Sequence, residues 1–367
     1  MSARPGMVYL RDKSAGKNTS MEMTTQSGSK TMSSGKRDAY LRSMCFQNPE
    51  FIPCDLGFYP AAAFKYREII PEFRKRHPWI HDPGRMEIPE RLRAGKEYID
   101  EWGCRWRTIE EGLDGQVIGH PLKNWSALKD FTPPPISIDR MQVARDFTAT
   151  KEAGTMFAAG SGSNFFERLR YLRGYSDLLM DMASGALEPL LLINILLKHK
   201  LQEVQVFLEA GADVIFFYDD LGNQDRLMMS PALFRRYLKP AYAEIFGLAV
   251  QYNRLNLLHS DGVINEILPD LIECDVHSIN LQGDIIGLDY LAEEWKGKVH
   301  LSYNLDMQNV LPTGTTNEIY EYIERIVKKL WLPQGGLSLS SSIMPDVPWK
   351  NVEALADSLE RWSFYRK

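Results

Sequence analysis

His259-Ser260-Asp261-Gly262 sets an imidazole and a carboxylate two residues apart, directly after the apolar run 255–258. Residues i and i+2 of an extended chain point to the same side. His259 and Asp261 can therefore share one metal ion or one substrate proton. The competing reading makes Asp261 a cap for a helix expected over 263–273, beside a structural histidine. Other apolar runs end in the same manner. The run 213–218 delivers Asp219 and Asp220, with Asn223 and Gln224 in the following turn. The run 276–281 delivers Asn280 and Gln282, 299–303 delivers Asn304 and Asp306, and 337–341 delivers Ser340, Ser341 and Ser342. Asp219 and Asp220 are adjacent, so at a strand end at most one of them faces a shared site. The catalytic candidates are His259, Asp261, Asp219 and Asp220, with His259 and Asp261 also the metal-ligand candidates. Gln224, Asn280, Gln282 and Asp306 are the candidates for holding substrate oxygens. Trp79, Trp102, Trp106 and Trp125 either pack or line an aromatic pocket; Trp102 is the one expected at the substrate. Cys274 and His277 form the other pair with soft-ligand character, and the helix-end position of Cys274 reads as a buried thiol.

The elements that must position these groups alternate along the chain. A strand is expected over 155–159, entering a glycine turn at 160–162. Helical periods cover 165–173, 189–210, 231–252 with Ser230 as its cap, 263–273, 316–331 and 349–365. Strands that alternate with helices of this length imply parallel βα units. In a (β/α)8 barrel the active site lies at the C-terminal ends of the strands, which is where the polar residues fall. The expectation is an α/β fold, a (β/α)8 TIM barrel with an N-terminal extension. Residues 1–36, rich in Ser, Thr, Gly, Lys and Met, read as a flexible arm, and 37–367 as the barrel. The segment from Gly28 to Lys36 lacks the spacing of a phosphate-binding loop, and Gly160-Ser161-Gly162 lacks a third glycine.

A chain of 367 residues accommodates one barrel of about 250 residues with insertions. Its net charge of −5, without a long basic run, excludes nucleic acid and anionic membrane as expected partners. Cys45, Cys54, Cys104 and Cys274 form no CxxC pair and imply a reducing compartment rather than a disulfide framework. The N-terminus shows no apolar signal core. The most apolar run, 187–197, contains Glu188 and Asn194 and is too short and too polar to span a bilayer. A cytoplasmic protein is expected.

From about Arg37 onward the chain resembles the uroporphyrinogen decarboxylase superfamily. The residues that carry the resemblance are Asp100-Glu101-Trp102-Gly103, Gly119-His120-Pro121-Leu122, Asp219-Asp220-Leu221-Gly222-Asn223-Gln224 and Ser230-Pro231 with Phe234. They continue with His259-Ser260-Asp261-Gly262, Asp306, Leu311-Pro312-Thr313-Gly314-Thr315, and Pro345-Asp346-Val347-Pro348 followed by Asn351. The resemblance implies a (β/α)8 barrel. It also disfavours the true decarboxylases, because their Arg-Gln-Ala-Gly-Arg segment has no counterpart between Cys45 and Glu90, where Phe51-Ile52-Pro53-Cys54-Asp55 stands. It points instead to the corrinoid-dependent methyltransferase branch. Thiol-methylating members bind zinc through His-x-Cys and a distant Cys. Here His259 matches the histidine, Asp261 replaces the first cysteine, and Ser341 stands near the second. The implied activity is demethylation of a small donor, foremost a methoxylated aromatic compound. The implied cofactors are zinc and a corrinoid carried by a separate corrinoid-binding protein, since no cobalamin-binding Asp-x-His-x-x-Gly is present. A homodimer is the assembly kept open. Two alternatives stand beside this reading. One is a lyase acting on a carboxylate, which would bring Arg105, Arg107 or Arg173 to the barrel mouth. The other is a non-catalytic binding protein on a barrel scaffold.

Overall fold

A computed structural model describes residues 35–84 and 86–365 of the chain. Seven strands form one sheet: β1 (Cys54–Phe58), β5 (Ala159–Ser163), β6 (Val214–Tyr218), β7 (Leu255–Ser260), β8 (Ser278–Gln282), β9 (His300–Asn304) and β10 (Leu337–Ile343). Their order is β1-β10-β9-β8-β7-β6-β5, and every pairing is parallel. The sheet is curled, because residues of both edge strands, Asp55 of β1 and Ala159 of β5, line one interior cavity. Closure into eight strands is not seen among the described residues. The chain between the two edges instead contains a separate antiparallel sheet of β2 (Glu97–Ile99), β3 (Arg105–Arg107) and β4 (Gln116–Gly119).

Parallel strands need crossovers, and helices such as Glu188–Glu209, Lys239–Gln251 and Thr316–Leu330 supply them, while Trp349–Ser363 follows the last strand and packs against Thr316–Leu330. Helix Thr316–Leu330 starts with a capping box between Thr315 and Glu318. Along the strands parity divides the two faces. On β7, Leu257 and His259 reach the interior cavity, whereas Leu258 is buried in the core. Among the described residues no single helix is long and apolar enough to cross a membrane.

Three local expectations shift. The first strand of the βα series runs over Ala159–Ser163 rather than ending before a glycine turn. Gly160 serves close packing there, since a Cβ on it would lie 2.4 Å from Cβ of Phe207 on the adjoining helix. The helix expected over 231–252 is interrupted by a π-turn at Phe234–Leu238, just before Pro240, which has no N–H to continue the ladder. The helix expected from 263 begins only at Leu268, after a short 3-10 turn. The arm expected over 1–36 lies outside the described residues except for Gly35 and Lys36. Lys36 already belongs to helix Lys36–Met44 and is buried, with its ammonium 3.0 Å from Asp55. This helix sits under the sheet, where Tyr40 and Met44 form an apolar cluster with Phe157, Val214, Leu255 and Leu257.

Candidate functional site

The strand ends bring together His259, Asp261 and Asp220. His259 is the fifth residue of β7, in register with Tyr218 of β6 and Asn280 of β8. Its Nε2 lies 3.4 Å from Oδ1 of Asp261 and 3.9 Å from Oδ1 of Asp220. Its Nδ1 is 2.6 Å from Oδ1 of Asn280. Burial works against protonation of His259. The hydrogen bonding and charge of Asp261, the charge of Asp220 and the contact with Asn280 outweigh that and hold its pKa above the ordinary value. Burial, then the charge of Asp261, pushes the Asp220 carboxyl up. Asp261 caps no helix, since the next one starts at Leu268 without a side-chain cap.

Two abutting turns create this proximity. The backbone N–H of Val263 donates to the carbonyl of Asn223 at 2.8 Å, and that of Asp261 donates to Oδ1 of Asp220 at 3.2 Å. Gly222 and Gly262 permit the approach. Gly262 has φ +78°, and a Cβ there would stand 2.3 Å from the carbonyl carbon of Gly222. Gln282 steadies the turn by accepting the Gly262 N–H at 2.9 Å.

The remaining expected residues go elsewhere. Asp219 is a correction. It is fully buried, faces away from His259, and accepts the N–H groups of Phe165, Phe166 and Glu167 at 2.7–2.8 Å together with the Tyr242 hydroxyl at 2.7 Å. It anchors the start of helix Phe166–Arg173; burial and the neighbouring Glu167 push its pKa up to about 6. Asp306 is a second correction. Its carboxylate accepts the N–H groups of Gln308 and Asn309 at 2.9 Å, tying down its own turn. It lines a neighbouring cleft of about 160 Å³ with Gln224, Gln282 and Asp284. Trp102 stacks edge-on against His199 beneath the Arg168 guanidinium and lines a third cavity, of about 480 Å³, with Phe165 and Tyr218. The other three tryptophans of that region pack and donate their indole N–H: Trp79 to Glu360, Trp106 to Asp100, Trp125 to Asp181. Cys274 is buried, with its pKa pushed up to about 11 by desolvation. Ser341 does line the cavity that His259 borders, but it has the opposite strand parity to Ser340, which touches Asn280, and its hydroxyl is buried without a partner.

His259 borders a cavity of about 420 Å³ lined also by Asp55, Tyr59, Asn280, Ser302 and Ser340. Sequence reasoning missed Asp55, Tyr59 and Ser302. Ser302 was legible as a polar residue of inward parity in the run 299–303. Tyr59 follows β1, whose sequence Cys-Asp-Leu-Gly-Phe carries no clear strand signal. Burial, then the charges of Asp261, Asp114 and Asp220, raises the Tyr59 phenol pKa, so Tyr59 stands within the field of the cluster.

Asp220, His259 and Asp261 each offer a ligand atom, and these atoms lie within 4.8 Å of one another. Oδ1 of Asp261 is buried and has only the distant Nε2 of His259, at 3.4 Å, as a partner, which is the kind of weakly satisfied acceptor a cation would hold. One imidazole and two carboxylates suit zinc or a harder divalent ion.

Residues 110–362 match the model of the uroporphyrinogen decarboxylase (URO-D) family, and the chain belongs to that family. Among its relatives, a protein of Methanosarcina barkeri named methylcobamide:CoM methyltransferase MtaA is 26% identical over 157 residues, 42% of this chain and 43% of that protein. Its counterpart in Methanosarcina barkeri (strain Fusaro / DSM 804) is 27% identical over 158 residues, with the same shares. The chain thus spans less than half the length of these relatives. A solved methyltransferase from Methanosarcina mazei shares the fold with a TM-score of 0.55 at 19% identity, covering 71% of this chain and 76% of that one. The family read from the motifs is therefore the right one, and the relatives matched carry methyltransferase names.

Proposed function

We propose that the protein transfers a methyl group from a methoxylated aromatic compound to a reduced corrinoid carried by a separate protein. The observation that carries this reading is the convergence of His259 with Asp220 and Asp261 at the edge of an interior cavity. The chemistry needs an acid more than a nucleophile. As the methyl–oxygen bond breaks, the methyl passes to the corrinoid, and the oxygen keeps the electron pair as a poor phenolate leaving group. A proton delivered to that oxygen lowers the barrier. His259 is the donor, because the two carboxylates favour its protonated form. Tyr59, on the opposite edge strand's end of the cavity, orients the ring substituents. The aryl group has an apolar wall close by, since Tyr218, the register neighbour of His259, lines the cavity that Trp102 and Phe165 share. Asp220, His259 and Asp261 are the residues that would hold zinc. A bound zinc ion would supply Lewis acidity at the ether oxygen, with His259 then serving as a ligand.

Methylation of a thiol is a poorer match, because none of the four cysteines joins the cluster. The carboxylate lyase finds no support in the arginines it would need. Arg105 and Arg107 pair with Glu97 on the small antiparallel sheet, and Arg173 pairs with Asp181.

The test is incubation of the purified protein with a Co(I) corrinoid and a panel of methoxyarenes, following methylcorrinoid by absorbance and phenol by chromatography. The expected outcome is phenol formation that His259→Ala reduces at least about 100-fold without a change in melting temperature. Methyl transfer from methylcobamide to a thiol but from no methoxyarene would overturn it, as would carbon dioxide release from a carboxylate without corrinoid. Metal analysis separates the two acids: near-stoichiometric zinc assigns the role to the metal, and occupancy below about a tenth assigns it to His259 alone.

A further inference from the structure

Asn280 was expected to hold substrate oxygens, yet its hydrogen bonds are spent inside the protein. Its amide group bridges three strands. One end meets His259 of β7 and the other meets Ser302 of β9 and Ser340 of β10. The far end lies 2.8 Å from the carbonyl oxygen of Ser302, which can only accept a hydrogen bond. An amide oxygen there would oppose another oxygen, so the group at that end is the NH2. Its remaining neighbours, the hydroxyls of Ser302 at 3.0 Å and Ser340 at 2.9 Å, can accept as well. The amide oxygen is thereby turned toward His259, 2.6 Å from Nδ1.

That orientation dictates where the imidazole carries its proton. An amide oxygen only accepts, so Nδ1 of His259 must donate. A neutral imidazole has one N–H and one lone pair, and the lone pair is left on Nε2, the nitrogen that faces Asp220 and Asp261. We infer that Asn280 is a positioning residue that fixes His259 in the Nδ1–H tautomer and so presents Nε2 to the site. The serines of β9 and β10 act one step further back by holding the amide in that orientation. Partners of this kind set which ring nitrogen of a histidine is available to a metal or a proton. The inference concerns the same site as the proposed demethylation, and its test needs no turnover.

The experiment uses full-length, metal-stripped protein labelled with 15N-histidine. Long-range 1H–15N correlations distinguish the protonated ring nitrogen from the bare one, and the His259 signals are those that vanish in His259→Gln. The expected result for the wild type in its neutral form is a protonated Nδ1 and a bare Nε2. In Asn280→Leu, which keeps the volume and removes the acceptor, the signals should move toward the Nε2–H form that imidazoles favour in water. An Nε2–H tautomer in the wild type overturns the inference, as does an unchanged spectrum in a folded Asn280→Leu. Should that variant not fold, the wild-type tautomer decides by itself. Absence of methyl transfer with the Nδ1–H tautomer present would remove the proposed activity and leave the role of Asn280 standing; the reverse pattern would do the opposite.

Discussion

Asp219 and Asp220 are neighbours in sequence with opposite fates. Strand parity sends Asp220 toward His259 and Asp219 into the wall, where it collects three backbone N–H groups and the Tyr242 hydroxyl. Replacing Asp219 by Ala leaves those donors buried and unpaired, and each orphaned group costs about 1–3 kcal/mol. Partial relaxation reduces the sum. We expect Asp219→Ala to destabilise the protein by about 3–5 kcal/mol in urea denaturation. Asp220→Ala removes a group that accepts a single, long backbone N–H, that of Asp261 at 3.2 Å, so it should cost about 1 kcal/mol while reducing methyl transfer and zinc binding. Equal losses of stability in the two variants would refute this division of labour. The sequence tells a reader that the pair must split; which member goes where depends on the start of helix Phe166–Arg173, which no local pattern around Asp219 reveals.

At the level of elements, the site is made where the turn after β6 meets the turn after β7. The contact is backbone against backbone, and Gly222 and Gly262 keep it open to close approach. An alanine at 262 meets two obstacles, a φ of +78° and the carbonyl carbon of Gly222 at 2.3 Å. Left-handed strain alone costs about 1–3 kcal/mol for a non-glycine residue, and the clash adds to it. Gly262→Ala should therefore unfold at least about 2 kcal/mol more easily and lose zinc affinity and activity together, because Asp261 moves with its turn. A variant with wild-type zinc affinity would show that the cluster does not depend on this contact. The strands themselves were legible because β6 to β9 carry short apolar stretches that run into polar residues at the C-terminal end, and β10 alternates Leu with Ser before its serine run. That rule located the correct rim but could not distribute its residues among the three adjoining cavities, which is why Asp306 and Trp102 fall outside the one that His259 borders. β1 escaped notice because its inward positions are Asp55 and Gly57: the aspartate pairs with Lys36, and the glycine lies opposite Ser342.

For the molecule as a whole, the rim that carries the His259 cluster is one end of a sheet whose other end must be sealed, and helix Lys36–Met44 does this. It joins both sides of the curl, with Lys36 reaching Asp55 of β1 and Arg37 reaching Asp213 just before β6. Arg37 forms a two-point bond to the Asp213 carboxylate, at 2.9 Å through Nε and 2.7 Å through Nη2. Asp213 is buried, which opposes ionisation. The hydrogen bond from Arg37, the N–H of Ala158 and the charges of Arg37 and Lys151 nevertheless hold its pKa below the ordinary carboxylate value. Breaking a buried pair costs about 3–5 kcal/mol; Arg37 keeps part of its side chain in water, so about 2–4 kcal/mol is expected for Arg37→Ala. The pH dependence has a fixed sign. A carboxylate with a depressed folded pKa contributes stability that is complete above its unfolded value, near 3.8, and is lost as pH falls through the folded value. The gap in stability between wild type and Arg37→Ala should thus be full at pH 5 to 8, in about that range, and narrow below about pH 4 as Asp213 takes up its proton. Urea denaturation at several pH values measures it. A gap that persists unchanged to pH 3 would mean that Arg37 acts by packing, and that the base of the sheet is held by the apolar cluster around Tyr40 and Met44 alone.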